Sequence, residues 1–483
     1  MHLVTAGMSP SLVRDLWDRV QSKVDYPISH IAHPTFSPDS WAAVHPIRAV
    51  SFFRDNLRIE LPAPDRELLA SLETTDVPTV HNMILSDHIV SKLPYEEALA
   101  YATFLTRKLM GFYGSMKPSA VIGGFDALHG SLGFAVARFM GIPWFVLSFN
   151  SLPSHLVCFC STLSPASHVV LEPGRAQILR STADRLLRDF EGRKVEAAAY
   201  IPPKVLSPAF IVKRIPAQIR TLIRITRRTT SKDAYKYSEF ASVYSLYGLF
   251  REALRLRKNL LRLPHDEFLR VTPNGKYAFF GLHMQPESSI DVFAHFFSNQ
   301  THVVELMARS LPPTHTLLIK LHKSDVPNYS RKQLAKLAAF PGVRLVSPYA
   351  DTFEFIKRSD LVFSIQGTIG LEAALLGKPV IMFGDSPVKI FPNVSTVGRT
   401  PDLPVLVRQK IGEANPGHTA IIDAFAAYLA PFYAASGNDW TVQPTDEEID
   451  GYVRLFELLG NHLRSDSRLL SQAARGLVEA DAR

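Results

Sequence analysis

Short apolar runs alternate with amphipathic stretches along most of the chain. Residues 1–7 read as an opening strand, and Ser9-Pro10 then supplies a cap and an N1 proline for a helix. Leu12, Val13, Leu16, Trp17, Val20 and Val24 recur at helical spacing on its buried side. Residues 28–32 predict a strand. Residues 94–113 predict a long helix with Ala98, Tyr101, Leu105, Leu109 and Phe112 on one face. A strand at 120–124, a helix at 128–140 stopped by Gly141, and a strand at 144–147 form a βαβ unit. A helix at 174–193 follows.

Pro202-Pro203 breaks this pattern, and it resumes at Lys276. Strands are expected at 277–282, 316–321, 343–346, 361–364 and 380–383. Helices are expected at 300–311, 330–339, 351–357 and 369–376, and a last one at 446–463. Asp351, Thr368 and Thr445 stand where helix caps belong. Gly377 and Pro379 end the helix that Thr368 begins. The fold class expected is α/β, with two doubly wound, Rossmann-like domains. Their expected bounds are 1–200 and 271–435, with a basic helical insertion at 201–270 and a helical tail at 436–483.

Charge sharpens one part of this picture. The chain has 483 residues and a net charge of +8, yet residues 204–270 hold 15 Lys or Arg against 5 Asp or Glu. The basic excess therefore sits in one segment. Ile215, Ile219, Leu222 and Ile223 form an apolar stripe there, with Arg220, Arg224, Arg227 and Arg228 around it. Such a segment suits an anionic membrane surface, or it is a solvated interdomain insertion. No nucleic-acid module surrounds it, so no nucleic-acid partner is expected. With no apolar run of about 18 residues, a transmembrane helix is not expected. Residues 1–7 lack the pattern of a signal peptide. Cys158 and Cys160 flank Phe159, a spacing that does not suit an ordinary disulfide. A metal pair there lacks nearby ligands at a familiar spacing. The cytoplasm is the expected location, with peripheral attachment to the inner face of the membrane if the basic segment binds lipid.

Candidate chemistry clusters at strand ends. In parallel sheets, ligands bind beyond the C-terminal strand ends, where glycine turns expose backbone N–H groups. Three such loops lie in the second domain: 281–288 with His283 and Glu287, 320–323 with Lys320 and His322, and Gln366-Gly367-Thr368. Lys320 and His322 supply positive or donor groups. Thr368 supplies a hydroxyl and amides. Glu372, one turn into the next helix, suits ribose hydroxyls. Together they resemble a nucleotide phosphate site. Each also has an ordinary role, and Glu372 has Lys378 as an alternative partner. In the first domain, Asp126 and His129 sit in the turn after the 120–124 strand, and each is a candidate base or a structural residue.

The run Phe279-Phe280-Gly281-Leu282-His283-Met284-Gln285-Pro286-Glu287-Ser288-Ser289 carries a resemblance, together with Ile319-Lys320-Leu321-His322 and Ser364 to Ala373 with Gly377-Lys378-Pro379-Val380. These resemble the bacterial capsule polysaccharide biosynthesis family, whose best-known members are Kdo transferases using CMP-Kdo. The stretch from Lys117 to Gly123 and Gly141-Ile142-Pro143 is also similar. The resemblance implies a GT-B-like fold with a crossing C-terminal helix and a cleft between the domains. It implies a metal-independent glycosyltransferase with no cofactor, taking a nucleotide sugar as donor and a glycan or lipid-linked glycan as acceptor. A Lys-x-His-Pro motif lies near the donor phosphate in such families. Here Lys320 and His322 match it and Lys323 occupies the proline position. Donor contacts are expected from Lys320, His322, Gln366, Gly367, Thr368 and Glu372, and catalytic roles from Asp126, His283 and Glu287. Two other readings fit the same pattern: a non-hydrolysing nucleotide-sugar 2-epimerase-like enzyme, and a non-catalytic GT-B-like glycan-binding subunit.

Overall fold

Runs such as Val343–Val346 and Leu361–Ser364 are apolar at nearly every position because parallel sheets are covered on both faces. In the computed structural model these runs assemble two sheets. The structure describes residues 1–8, 16–32, 49–51, 61–125, 127–195, 258, 268–323, 325–435 and 445–465. Asp126 and nearly all of the basic segment lie outside the described residues.

The first sheet is built from β1 (Leu3–Met8), β2 (Ile28–Ala32), β3 (Ala49–Ser51), β4 (Ala120–Gly123), β5 (Trp144–Phe149) and β6 (Leu156–Cys160). The second contains β7 (Tyr277–Gly281), β8 (Thr316–Lys320), β9 (Val343–Val346), β10 (Leu361–Ser364), β11 (Val380–Met382) and β12 (Val394–Thr396). A short β13 (Tyr433–Ala434) returns to the first sheet. The orders are β13-β6-β5-β4-β1-β2-β3 and β9-β8-β7-β10-β11-β12. The second sheet is parallel throughout, whereas β6 runs antiparallel to β5 and β13. Both are doubly wound, with order reversing beside β1 and beside β7.

The helices Tyr95–Met116, Ala127–Phe139, Gln300–Ser310 and Arg331–Ala338 lie within a few residues of the expected spans. Asp351 caps Thr352–Arg358 by accepting the Phe353 N–H at 3.1 Å. The helix after β10 differs at its start. It spans Thr368–Leu375, with Gly367 rather than Thr368 at the N-cap. Gly367 has φ +89° and ψ −170°, a conformation open essentially to glycine alone, so the helix begins one residue early. Its end is as expected. Gly377 is left-handed, and the Gly377 and Lys378 N–H groups bond the Ala374 and Ala373 carbonyls in a Schellman closure.

The last described helix, Asp446–Ser465, crosses back onto the first domain. Thr445 and Glu448 form a reciprocal capping box at its start, at 3.3 and 2.7 Å. Phe456 packs edge-on against Trp17 at 4.8 Å, and Tyr26 donates to the Phe456 carbonyl at 2.8 Å. Gly451 lets this helix approach β13: a Cβ there would stand 2.0 Å from the Ala434 carbonyl oxygen. That neighbour is backbone, so Gly451→Ala is expected to cost about 1–3 kcal/mol of overpacking strain. A denaturation midpoint unchanged from wild type would refute the close contact.

Candidate functional site

The order β9-β8-β7-β10 brings the C-terminal ends of β8, β7 and β10 side by side. Gly281 pairs with Lys320 and Phe280 with Phe363, so the three strands end at one level. The loops after them meet at the reversal point of the second sheet, the ordinary place for a ligand in this architecture.

The loop after β7 is held by side chains. The His283 N–H donates to Gln300 Oε1 at 2.7 Å, and Gln300 Nε2 donates to the His283 carbonyl and to Gln285 Oε1, each at 3.0 Å. Asp291 accepts Gln285 Nε2 on one oxygen and the Glu287 N–H on the other, both at 3.0 Å. His283 Nε2 lies against the Gln366 peptide, hydrogen-bonded to its carbonyl and 3.2 Å from its nitrogen. His283 Nδ1 is buried. Burial pushes this imidazole down to about 4, so the ring is neutral at pH 7. Its contacts brace the turn after β10. Glu287 is exposed at the end of the same loop. Protein packed around its carboxyl, with Asp291 nearby, still holds it above the usual carboxylate range.

The turn after β10 is fastened from both sides. Ser364 Oγ donates to the Gln366 carbonyl at 2.7 Å, and Gln366 Nε2 donates to the Asp385 carbonyl at 2.5 Å. The Gln366 side chain is thus engaged within the protein, and Gly367 and Thr368 form the outward part of the turn. The first N–H groups of a helix have no intrahelical acceptors, and here they face the strand-end edge.

Lys320 is buried at the end of β8, where Nζ donates to the Pro348 carbonyl at 3.0 Å. Burial and Lys323 push its pKa down to about 8, while Glu372 and Asp351 oppose the shift. Glu372 is half-buried and acts on Lys320. Lys378, its alternative partner in the sequence, donates instead to the Ser359 carbonyl at 3.2 Å. His322 is half-buried, and burial and the Lys320 charge hold it below the ordinary histidine range. Positive charge at the site therefore comes from Lys320 and the exposed Lys323.

Sequence reasoning missed Asp325. It is buried beside a cavity of about 270 Å³ that Gln285, Gln300, Asn328 and Tyr329 also line. Asn328 Nδ2 donates to its carboxylate at 2.6 Å, but burial still raises its pKa to about 6. The Asp325 carboxyl follows His322 by three residues in the same strand-end loop, which is the only signal for it in the sequence.

The first domain contacts this edge directly. Phe125, after β4, lies 4.7 Å from Phe293 in ring-centroid distance, and Ser164 Oγ donates to Asp385 Oδ2 at 2.7 Å. Asp126 adjoins Phe125 but lies outside the described residues. The helix N-terminus there takes a cap from elsewhere: Asp87 Oδ2 accepts the Leu128 N–H at 2.8 Å. Burial pushes His129 down to about 4.

Comparison with known proteins agrees with the expected family. A family model described as "Capsule polysaccharide biosynthesis protein" matches residues 217–391, which include all three loops. No curated protein matches the chain. Among solved structures, the beta Kdo 2,4 transferase of Thermosulfurimonas dismutans KpsC is similar at 15% identity, with 82% of this chain and 99% of that chain covered and a TM-score of 0.37. The beta Kdo 2,7 transferase of the same KpsC is similar at 11% identity, with 74% and 89% covered and a TM-score of 0.33. UDP-GlcNAc 2-epimerase from Neisseria meningitidis is similar at 13% identity, with 95% and 100% covered and a TM-score of 0.29. The two doubly wound sheets expected from the sequence are the ones observed.

Proposed function

We propose that this chain is a glycosyltransferase that moves a sugar from a nucleotide donor to a capsule or other surface polysaccharide. The observation that carries the reading is the meeting of the three loops at the reversal point of the second sheet, inside the span of the family match. In this reading the donor phosphate sits at the Gly367-Thr368 turn, where backbone amides and the Lys320 charge oppose the negative charge that grows on the leaving group. His322 donates a hydrogen bond to the same phosphate. Glu372 accepts from a ribose hydroxyl. His283 positions the turn, Asp126 acts as base on the acceptor from across the cleft, and Glu287 lies at the donor edge. CMP-Kdo is the donor proposed first. This reading needs no divalent metal. The basic segment at 204–270 would hold the enzyme against an anionic membrane surface, since no described helix is long and apolar enough to cross one.

Titration calorimetry tests the site. His322→Ala and Thr368→Ala are each expected to weaken nucleotide-sugar binding about tenfold or more, the worth of a hydrogen bond to a charged group. Unchanged affinity in both variants would sink the assignment. Product analysis with the donor alone separates transfer from epimerisation, because only an epimerase converts the donor without an acceptor.

The same site predicts a pH dependence. His322 is neutral in the free protein, and a phosphodiester beside it favours the imidazolium. Its pKa therefore rises on binding, and a proton is taken up. Affinity should increase as pH falls through the bound-state pKa, by up to about tenfold per pH unit. Calorimetry in buffers of different ionisation enthalpy reads the proton directly, and His322→Ala should remove it. Binding without proton uptake would remove His322 from the phosphate contact.

A further inference from the structure

Cys158 and Cys160 are fully buried in β6, two residues apart and so on one face of the sheet. Both are free thiols. The chain leaves β6, makes a tight loop and returns to pair His168 with Cys160 in an antiparallel bridge. This brings a third ligand that the sequence spacing did not reveal. The two sulfurs and a His168 ring nitrogen all lie within 4.8 Å of one another. Ser148 stands opposite Cys158 on β5, and its hydroxyl acts to lower the pKa of both thiols. His168 is half-buried, which leaves a route from solvent, and Phe432 packs edge-on against its ring at 4.9 Å.

We propose that Cys158, Cys160 and His168 form a binding site for a soft, thiophilic metal ion, with Zn(II) or Cu(I) as the fitting chemistry. Two thiolates and one imidazole are a donor set of this kind, and the fourth position would be filled by water or the Ser148 hydroxyl. The thiols are unequal in readiness. Burial holds Cys158 well above the ordinary range, whereas hydrogen bonding from Cys158 and the nearby His168 draw Cys160 down. Binding exchanges thiol protons for the ion and releases those protons to solvent, so affinity rises with pH.

The site lies under an interdomain contact. The loop closed by the Cys160–His168 bridge folds on itself, with Ser167 Oγ donating to the Ser164 carbonyl at 2.6 Å and the Ala166 N–H to Ser164 Oγ at 3.1 Å. Ser164 Oγ reaches Asp385 of the second domain, whose carbonyl accepts Gln366 Nε2. An ion joining β6 to His168 would fasten the base of the loop that contacts Asp385, the residue whose carbonyl holds the Gln366 side chain. The site stands independently of the glycosyltransferase reading.

The test uses the full chain, reduced and stripped with a chelator, then titrated with Co(II). The expected result is one equivalent bound with a thiolate-to-cobalt charge-transfer band, displaced by Zn(II), and a Tm raised by Zn(II). Cys160→Ser should abolish the band. His168→Gln leaves β6 and both thiols intact, so it tests the site even if Cys160→Ser misfolds, and it should weaken binding by about tenfold or more, the loss of one ligand-shell contact. No thiolate band in the wild type, or a band that survives in both variants, overturns the proposal.

Discussion

Lys320→Met is expected to yield a more stable protein that no longer binds donor. Lys320 is buried, and its pKa falls from 10.5 to about 8. A base with a depressed native pKa contributes its full stability only above the unfolded pKa, and that contribution is lost as pH falls through the native value. At pH 7 the charged form therefore carries a penalty of about 3 kcal/mol. Methionine keeps the stem volume and removes the ammonium. It also removes the bond to the Pro348 carbonyl, which costs about 1 kcal/mol. Glu372 loses a nearby charge but keeps contact with solvent. The net expectation is a gain of about 1–3 kcal/mol, or roughly 2–4 °C in Tm per kcal/mol for a domain of this size. Nucleotide-sugar affinity should meanwhile collapse, because the buried positive charge at the end of β8 is gone. Stability spent on a site is common where function needs a buried charge. A variant that is less stable than wild type would show Lys320 to be a structural residue and would remove it from the donor site.

The strands of this site were legible in the sequence because they are buried on both faces. Val343–Val346 and Leu361–Ser364 occupy the expected spans, although the exposed Arg344 interrupts the first of these runs. Gly377 was legible because glycine is the residue best suited to a left-handed helix end. The N-cap was misread because Thr368 is a good cap by type, and nothing local shows that Gly367 takes the unusual dihedral angles. β3 and β6 were missed for different reasons. Ala49–Ser51 is too short to have a period, and Leu156–Cys160 follows Pro153 in a stretch without a preceding helix pattern. The partners of the site residues were not legible at all. His283 meets Gln366 across 83 residues, and Cys160 meets His168 through a loop whose closure depends on Ser161, Ser164 and Ser167 bonding one another. Such contacts are set by topology, and spacing does not encode them. The same holds for burial of Asp325, which decides its protonation.

Acidification from pH 7 to 5 is expected to remove a large part of the protein's stability. Burial lowers His30 to about 3, and His129 and His283 to about 4, from an ordinary value of 6.5. Below pH 6.5 the unfolded chain takes up protons at these positions while the native protein does not. Their stabilising contribution is therefore complete above 6.5 and is lost as pH falls towards the native values. At pH 5 each loss amounts to about 2 kcal/mol, against a total stability of about 5–15 kcal/mol for a typical protein. Asp325 acts in the opposite sense. Its carboxyl is raised to about 6, so its contribution is present at acid pH and lost as pH rises through that value. One such group offsets only part of three histidines. Urea midpoints measured from pH 7 to 5 should fall steadily, and a flat profile would show that these rings are not buried as neutral groups. His283→Gln should flatten the profile by about one histidine's share. Because the same ring braces the Gln366 turn, that variant should also bind donor more weakly at pH 7, where its ionisation plays no part. The two effects separate the roles of His283: the pH slope reports its burial, and the neutral-pH affinity reports what its contact with Gln366 holds in place.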